Sequence, residues 1–458
     1  MRARRASRVR VVVVGAGSGG ATIAARLSEH PAIEVALYEA GPDHRSSGTP
    51  AAVAGPSFTA AVREPGRTWA GLEARRARGQ APRPYTRGRG AGGSSAINAM
   101  VALEGTPSDY DEWVSVGRCA GWGWSDVRPW FGRTALTLTR APAAEWGELN
   151  RLVGSVWPEA AAGVPLTRDG SGRRVSVNDA YLEPTRERPN LTVHGDALVE
   201  RIVLDGRRAV GIRVGGHDVP ADLVVVSAGA IHSPALLLRS GIDTPGIGEQ
   251  LCDHPSFPIS IVRHEPADPH GLPIATVVRL AGDEGPDDLQ VLPLDHVDPE
   301  HPEVAVVMAA AMRVHSRGAV RLASPDPTVD PIVEFDMLSD PRDHRAVERA
   351  IDAVERLVED ARFGSFGTVL PYDRSEDGIR AAIGDYVHAV GTCAMGTVVD
   401  TSGCVVGYDA LMVCDASVMP TLPRANTHLP TVMVAERLAA ITLERLIATG
   451  KLGAAGPA

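Results

Sequence analysis

Lysine is almost missing from this 458-residue sequence: of its 46 lysines and arginines, only Lys451 is a lysine. With 48 glycines alongside, that bias reads as genomic base composition rather than as a functional device. Positive charge is in deficit as well. A formal net charge of −10 excludes nucleic acid as a partner class, because phosphate binding needs a basic face. Cysteine is sparse, and Cys119, Cys252, Cys393, Cys404 and Cys414 are odd in number and form no CxxC pair. That pattern suits a reducing compartment, and no metal-ligand set is assigned. The longest apolar run, Val304 to Met312, has nine residues, whereas a transmembrane helix needs ~20. Repeats and low-complexity tracts are absent. Arg2, Arg4, Arg5 and Arg8 before an apolar run imitate a secretory or twin-arginine leader. That run, however, feeds a glycine loop, so its removal would destroy a nucleotide site, and the chain is expected in the cytoplasm.

What is present is organised around Arg10 to Ala40, RVVVVGAGSGGATIAARLSEHPAIEVALYEA. Val11 to Val14 lead into Gly15, Gly17, Ser18 and Gly20, then into a small-residue helix pattern, then into a second apolar run, Val35 to Tyr38. This order of strand, glycine turn, helix and strand is a dinucleotide-binding unit. Gly15 permits the tight turn, Gly17 lets backbone approach a pyrophosphate at the helix N-terminus, and Gly20 allows close helix-to-strand packing. Glu39, 19 positions past Gly20, stands where an acid accepts hydrogen bonds from an adenosine ribose. A chain of this length is expected to form two domains.

Gly41 to Pro84 is rich in proline, glycine, alanine and arginine and reads as a surface connection. All seven tryptophans lie between residues 69 and 157, and packing is their default role, with a pocket wall as the alternative. Arg87 to Met100, RGRGAGGSSAINAM, contains a second GxGxxG in Gly88, Gly90 and Gly93. Polar PRPYTR precedes it rather than a buried strand, so it is not a second Rossmann unit. It supplies a backbone with few side chains, then Ser94, Ser95 and Asn98, suited to lying against a flat or phosphorylated ligand.

The string GRGAGGSSAIN resembles the first signature of the glucose-methanol-choline (GMC) flavoprotein oxidoreductases. Asp109 to Trp113, Gly121 to Phe131, Pro189 to Val199 and Leu223 to Pro234 resemble segments that follow it in that family. Pro255 to Gly384 resembles the family's substrate domain, with strand patterns at Val320 to Ala323 and Ile332 to Phe335. A helix is predicted over Arg342 to Ala361, with Ala346, Ala350, Val354, Leu357, Val358 and Ala361 on one face. The implied fold is α/β (α+β overall): a Rossmann-like FAD-binding domain with an inserted antiparallel-sheet substrate domain. Its expected bounds are 8–118, 186–255 and 385–458 for the FAD domain and 119–185 with 256–384 for the other.

Two closing segments, DYVHAVGTCAMG from Asp385 and DASVMPTLPRANTHLPTVMVAE from Asp415, also resemble family motifs. The resemblance makes His388 and His428 the catalytic pair, facing each other beside the flavin. It implies further cofactor contacts at Gly88, Arg89, Gly93, Ser94, Asn98, Val199, Ala228, Asp415, Ala416 and Thr431. Chemistry supports a histidine: alcohol oxidation needs a proton acceptor as hydride leaves for flavin N5, and imidazole titrates near pH 6.5. Leu429, Pro430 and Thr431 look like the start of a helix whose N-terminus can stabilise charge on reduced flavin.

Some features depart from the family. Ile97 stands where members with covalent flavin carry histidine, so FAD is expected to be non-covalent. The segments after Gly241 and from Arg140 to Asn178 are short, which implies a more open pocket. Compact length and arginine-rich composition loosely resemble the GMC members associated with mycofactocin in actinobacteria. The expected activity is therefore an FAD-dependent alcohol oxidoreductase that acts on a small-molecule alcohol or a reduced mycofactocin-type carrier. Oxygen, a quinone-like compound or a redox carrier would accept the electrons, and dehydrogenase is preferred to oxidase. A lyase on the same FAD scaffold and a flavin-binding protein without turnover stay open.

Overall fold

The computed structural model describes residues 8–452, and the basic head at Arg2, Arg4 and Arg5 lies outside the described residues. Val9–Val14 (β1) buries all five of its valines, as a strand covered on both faces must. It pairs in parallel with Ile33–Tyr38 (β2) on one side and Leu223–Val226 on the other. Leu191–His194 (β3) lies outside β2, and Leu411–Val413 lies outside Leu223–Val226. With Leu223–Val226 as β4 and Leu411–Val413 as β5, the spatial order is β5-β4-β1-β2-β3. This is the doubly wound arrangement, whose ligand crevice opens where the order reverses, between β1 and β4.

Small side chains let helix Ser18–Leu27 (α1) lie close to the sheet and to the long C-terminal helix. Helix Gly229–Arg239 (α2) follows β4 directly, so its N-terminus also points at the crevice.

A second sheet is antiparallel throughout. Its strands run, in spatial order, Val278–Leu280, Leu289–Leu294, Val304–Ala311, Ser256–Arg263 and Gly367–Val369. Alternation decides what each face meets. Val291 and Val307 pack with Val347, Ile351 and Val354 of helix Pro341–Val358 (α3). Leu292, Leu294 and Met308, one step away, face the cavity between the two sheets.

Several expectations need correction. The buried face of α3 runs through Val347, Ala350, Ile351, Ala353, Val354 and Leu357; Ala346 and Val358 are half-buried, and Ala361 is exposed beyond the helix end. Ala350, Val354 and Leu357 are common to the expected and the observed face, which is turned so that β-branched Val347 and Ile351 also meet the sheet. The strands near residues 320 and 332 are Ala319–Arg321 and Ile332–Glu334, which pair with each other outside the large sheet. Gly41 to Pro84 is more than a surface connection: it forms helices Ala51–Ala54 and Phe58–Arg63 and buries Leu72, Ala74 and Ala77. Such one- and two-turn helices are too short to leave a periodic signal.

Most of the tryptophans do pack. Trp113 and Trp122 are fully buried, with indole N–H groups donating to the Thr421 and Thr401 carbonyls. Trp122, Val127, Phe131, Tyr181 and Leu182, from the stretch expected in the second domain, join the core around the parallel sheet. Among the described residues no helix is long and apolar enough to cross a membrane.

Candidate active site

At the crevice the first glycine loop meets the second glycine-rich segment backbone to backbone. Gly15 has φ +99°, and a Cβ there would overlap the Ser227 carbonyl. Gly93 has φ +51°, and its Cβ would lie 2.7 Å from the Gly17 Cα, so neither segment tolerates a side chain at the junction. Gly20 plays its expected packing part, since a Cβ on it would overlap the Gly15 carbonyl.

From this junction a cavity of about 690 Å³ runs to the antiparallel sheet. Gly15, Gly17, Ser18 and Glu39 line it at one end, with Val199 and Ala228. Gly88, Gly93, Ser94 and Asn98 form a side, and Asp415, Ala416 and Thr431 another. Gly20 lies behind the loop, and Arg89 turns its guanidinium to the Ala40 carbonyl and the Trp69 ring. Trp69 itself lines the cavity, stacked on His232 with ring centroids 4.1 Å apart.

The polar groups of the lining suit a dinucleotide. His428 Nε2, Asn426 Oδ1 and Ser227 Oγ are buried without a hydrogen-bond partner, a state that a polar ligand relieves. Glu39 is buried, and its Oε1 accepts the Gly41 and Gly90 N–H groups at 2.9 Å while Oε2 accepts that of Ala16 at 2.7 Å. One acceptor position on Oε2 remains for a ribose hydroxyl. Asn98 Oδ1 accepts from the Met100 N–H (2.9 Å) and from Arg174 (2.8 Å), which fixes the amide with its NH2 group free for the cavity. Arg174 is fully buried, and besides Asn98 it bonds only the Val53 carbonyl, without a carboxylate. Burial lowers its pKa to about 10.

Two histidines and an asparagine define the chemistry at the far end. His254, wholly buried, donates its Nε2 hydrogen to the Pro423 carbonyl (3.2 Å). Desolvation pushes its pKa down to about 3, so the ring is neutral and its Nδ1 is a lone pair. His388 Nδ1 lies 3.1 Å from that lone pair and must be the donor. The His388 pKa is also well below the ordinary value, first through burial and then through His254 and Arg87. Neutral His388 protonated on Nδ1 leaves Nε2 as a lone pair, 3.3 Å from the Asn426 amide nitrogen.

The backbone around His388 is tightly held. Asp253 Oδ2 accepts the His388 N–H at 2.9 Å, and its Oδ1 accepts that of His254 at 2.7 Å. Val387, β-branched with φ +56°, is strained in the left-handed region immediately before His388. Buried Arg424 anchors the segment carrying Pro423 and Asn426 through ion pairs to Asp109 (2.7 Å) and Asp288 (2.9 Å). Asp253, His254 and His388 do bring three metal-capable groups together. Asp253 and His254 are already committed to backbone groups, the Tyr85 hydroxyl and His388 Nδ1, which leaves His388 Nε2 as the one open position.

Residues 9–166 and 145–256 match the N-terminal part, and residues 314–435 the C-terminal part, of GMC oxidoreductases. The chain belongs to the GMC oxidoreductase family. It is 29% identical to a 5-(hydroxymethyl)furfural oxidase of Methylovorus sp., over 93% of this chain and 97% of that one. An oxygen-dependent choline dehydrogenase of Paraburkholderia phytofirmans is 30% identical, with 93% of each chain covered. Among solved structures, pyridoxine 4-oxidase from Mesorbium loti superposes with a TM-score of 0.87 at 26% identity, covering 95% of this chain and 99% of that one. The first of these alignments runs over 530 positions against a chain of 458, so that relative carries segments this GMC oxidoreductase lacks. FAD is the family's cofactor, and the protein is an FAD-dependent alcohol oxidoreductase.

His388 and His428, the pair expected from the sequence, line the same cavity with their Nε2 atoms free of protein acceptors. Asn426 faces His388, whereas His428 Nδ1 lies 2.8 Å from Ser18 Oγ of the first glycine loop. His428 is the first residue of helix His428–Ala448 (α4), one step earlier than the expected start, and a helical backbone there directs its ring to α1. Sequence reasoning passed over His254, Asp253 and Arg174. The signal for the first two was two adjacent titratable residues directly ahead of the buried strand Ser256–Arg263.

Proposed function

We propose that this GMC oxidoreductase oxidises an alcohol with His388 Nε2 as the proton acceptor and Asn426 as the holder of the substrate oxygen. The single observation that carries this reading is the contact from His254 to His388, which leaves the lone pair of His388 on the nitrogen beside Asn426. The cavity provides for FAD at Gly17, Glu39, Asn98 and the N-terminus of α4. Bound FAD supplies the two-electron acceptor for the hydride. The hydroxyl proton goes to His388 Nε2 as the Asn426 amide N–H donates to the same oxygen, so negative charge on that oxygen is never left unbonded. His428 Nδ1 pairs with the Ser18 hydroxyl at 2.8 Å, and its buried Nε2 has no protein partner.

The flavin is held without a covalent bond in this reading, since Ile97 offers no nucleophile. An FAD-binding and a substrate domain remain part of it, with the packing of Trp122, Val127, Phe131, Tyr181 and Leu182 on the parallel-sheet core favouring a larger FAD domain, and free cysteines support a cytoplasmic setting. Electrons pass to a quinone-like or carrier acceptor, with a reduced mycofactocin-type carrier as the finer candidate for the alcohol; the shortened segments, which would leave a bound flavin more accessible, support it. Oxygen is the second reading, favoured by relatives named oxidase and oxygen-dependent. Anaerobic stopped-flow mixing with primary alcohols tests the chemistry, and bleaching of the flavin is the expected result. Mixing the reduced enzyme with air-saturated buffer or a quinone then separates the acceptors, and reoxidation by oxygen within one turnover would remove the dehydrogenase assignment.

A further inference from the structure

We infer that the substrate is an uncharged alcohol with an apolar body, and that the pocket rejects cationic alcohols of the choline type; this rests on the alcohol oxidation proposed above. The wall facing His388 and Asn426 is built from Met100, Ile274, Leu292, Leu294, Val297 and Met308. None of these offers a charge or a hydrogen bond. The carboxylates that reach the cavity are occupied. Asp385 is paired with Arg76 at 2.6 Å, Asp415 accepts from Gly229 and Ser417 at 2.8 Å, and Glu39 holds three backbone N–H groups.

Positive charge, by contrast, does reach the cavity, with its nearest carboxylate, Asp253, set behind the lining and bridged to it by the Tyr85 hydroxyl. Arg87 lines the cavity with its Nη atoms on the Tyr85 hydroxyl (3.4 Å) and Ser94 Oγ (3.2 Å), and its buried Nε has no partner. A second cation in this space meets repulsion and no counter-ion. Capture of a quaternary ammonium by aromatic faces needs several rings around it. Phe58 and Tyr386 are the rings on this side, and Tyr386 stands edge-on to His388, centroids 5.5 Å apart, with its hydroxyl held by Gln290. The preference therefore runs opposite to the substrate in the name of the choline dehydrogenase relative.

Choline and 3,3-dimethylbutan-1-ol have the same shape and differ in whether the quaternary centre is N⁺ or carbon. We would titrate both into the FAD holoenzyme by calorimetry and follow anaerobic flavin reduction by each. The neutral isostere is expected to bind and to reduce the flavin with a kcat/KM on the order of 10²-fold higher. Met308→Glu, which puts a carboxylate on the half-buried wall, should narrow or reverse that ratio. Equal or better use of choline by the unaltered enzyme overturns the inference, as does binding of neither compound. Selective binding of the neutral isostere without flavin reduction would uphold the pocket's preference and sink the proposed oxidation instead.

Discussion

His254 and His388 meet through their Nδ1 atoms at 3.1 Å, and only one of the two can carry the hydrogen. The Pro423 carbonyl settles which, because it claims the hydrogen of His254 Nε2 and leaves Nδ1 of that ring as the acceptor. The pair thus does by imidazole what a carboxylate does in a hydrolase triad, fixing tautomer and ring orientation. His254→Leu should slow flavin reduction by about 10 to 10³-fold, the range for a base left in mixed tautomers. His254→Asn, whose carbonyl can accept the same hydrogen, should recover much of that loss. Equal damage from both variants, with unchanged pH dependence, would show that His254 only fills space.

Removal of the base itself is the sharper test. His388→Ala should lower the flavin reduction rate by roughly 10² to 10⁴ with FAD still bound. The base works in its neutral form, and burial holds its pKa well below 6.5, so the rate should stay flat as pH falls through 6.5 and drop only at more acid pH. An acid limb centred at 6.5 or above would contradict that environment. Asn426→Ala should cost roughly 10- to 100-fold, as expected on losing one donor to a developing anion. His428→Ala should instead weaken FAD retention, and if it is the more damaging change to reduction while His388→Ala is nearly neutral, the two roles are reversed.

How far these parts were legible follows from the range of the signals. The glycine loop, β2 and Glu39 lie within 31 residues, Arg10 to Ala40, and their periodicity and spacing are local, so they were readable directly. The antiparallel sheet was expected only through the family resemblance, and the two strands named in that region pair outside it, since pairing of strands far apart in the chain decides which join. What faces His388 was out of reach. Asn426 and His428 are separated by two positions, and whether one or the other turns to His388 depends on where α4 begins. His254 reaches His388 across 134 residues of chain, and no periodicity reports such a contact.

Glu39 carries two loads that can be told apart. Its three backbone hydrogen bonds join the first glycine loop to Gly41 and Gly90, so Glu39→Ala leaves buried N–H groups without partners, each worth about 1 to 3 kcal/mol. The melting temperature of the apoprotein should fall accordingly. Ribose hydrogen bonds would be lost too, weakening FAD retention by roughly 1.5 to 3 kcal/mol if they are charge-assisted. An unaltered apoprotein melting point denies the structural part, and an unaltered FAD affinity denies the ribose part.

Arg174 is the least expected cation in the molecule, because it is buried with carbonyl oxygens and an amide as its partners and no anion. A charge in that position is costly unless something nearby gains from it. Asp179 attracts it from a distance and Asn98 has its amide fixed by it, while His428, whose pKa is pushed down to about 4 by burial and by this cation, is kept neutral beside it. Asn98 and His428 line the cavity where FAD and its reduced, more negative form must sit. Arg174→Met should therefore favour the oxidised flavin. If the lost differential stabilisation is about 1.4 kcal/mol, the midpoint potential falls by about 30 mV for a two-electron couple. A dye-coupled reductive titration of the variant and the unaltered holoenzyme measures this directly. Identical potentials, in a variant that keeps its fold and its FAD, would mean that Arg174 serves Asn98 and the neighbouring chain alone and that its charge is not felt by the flavin.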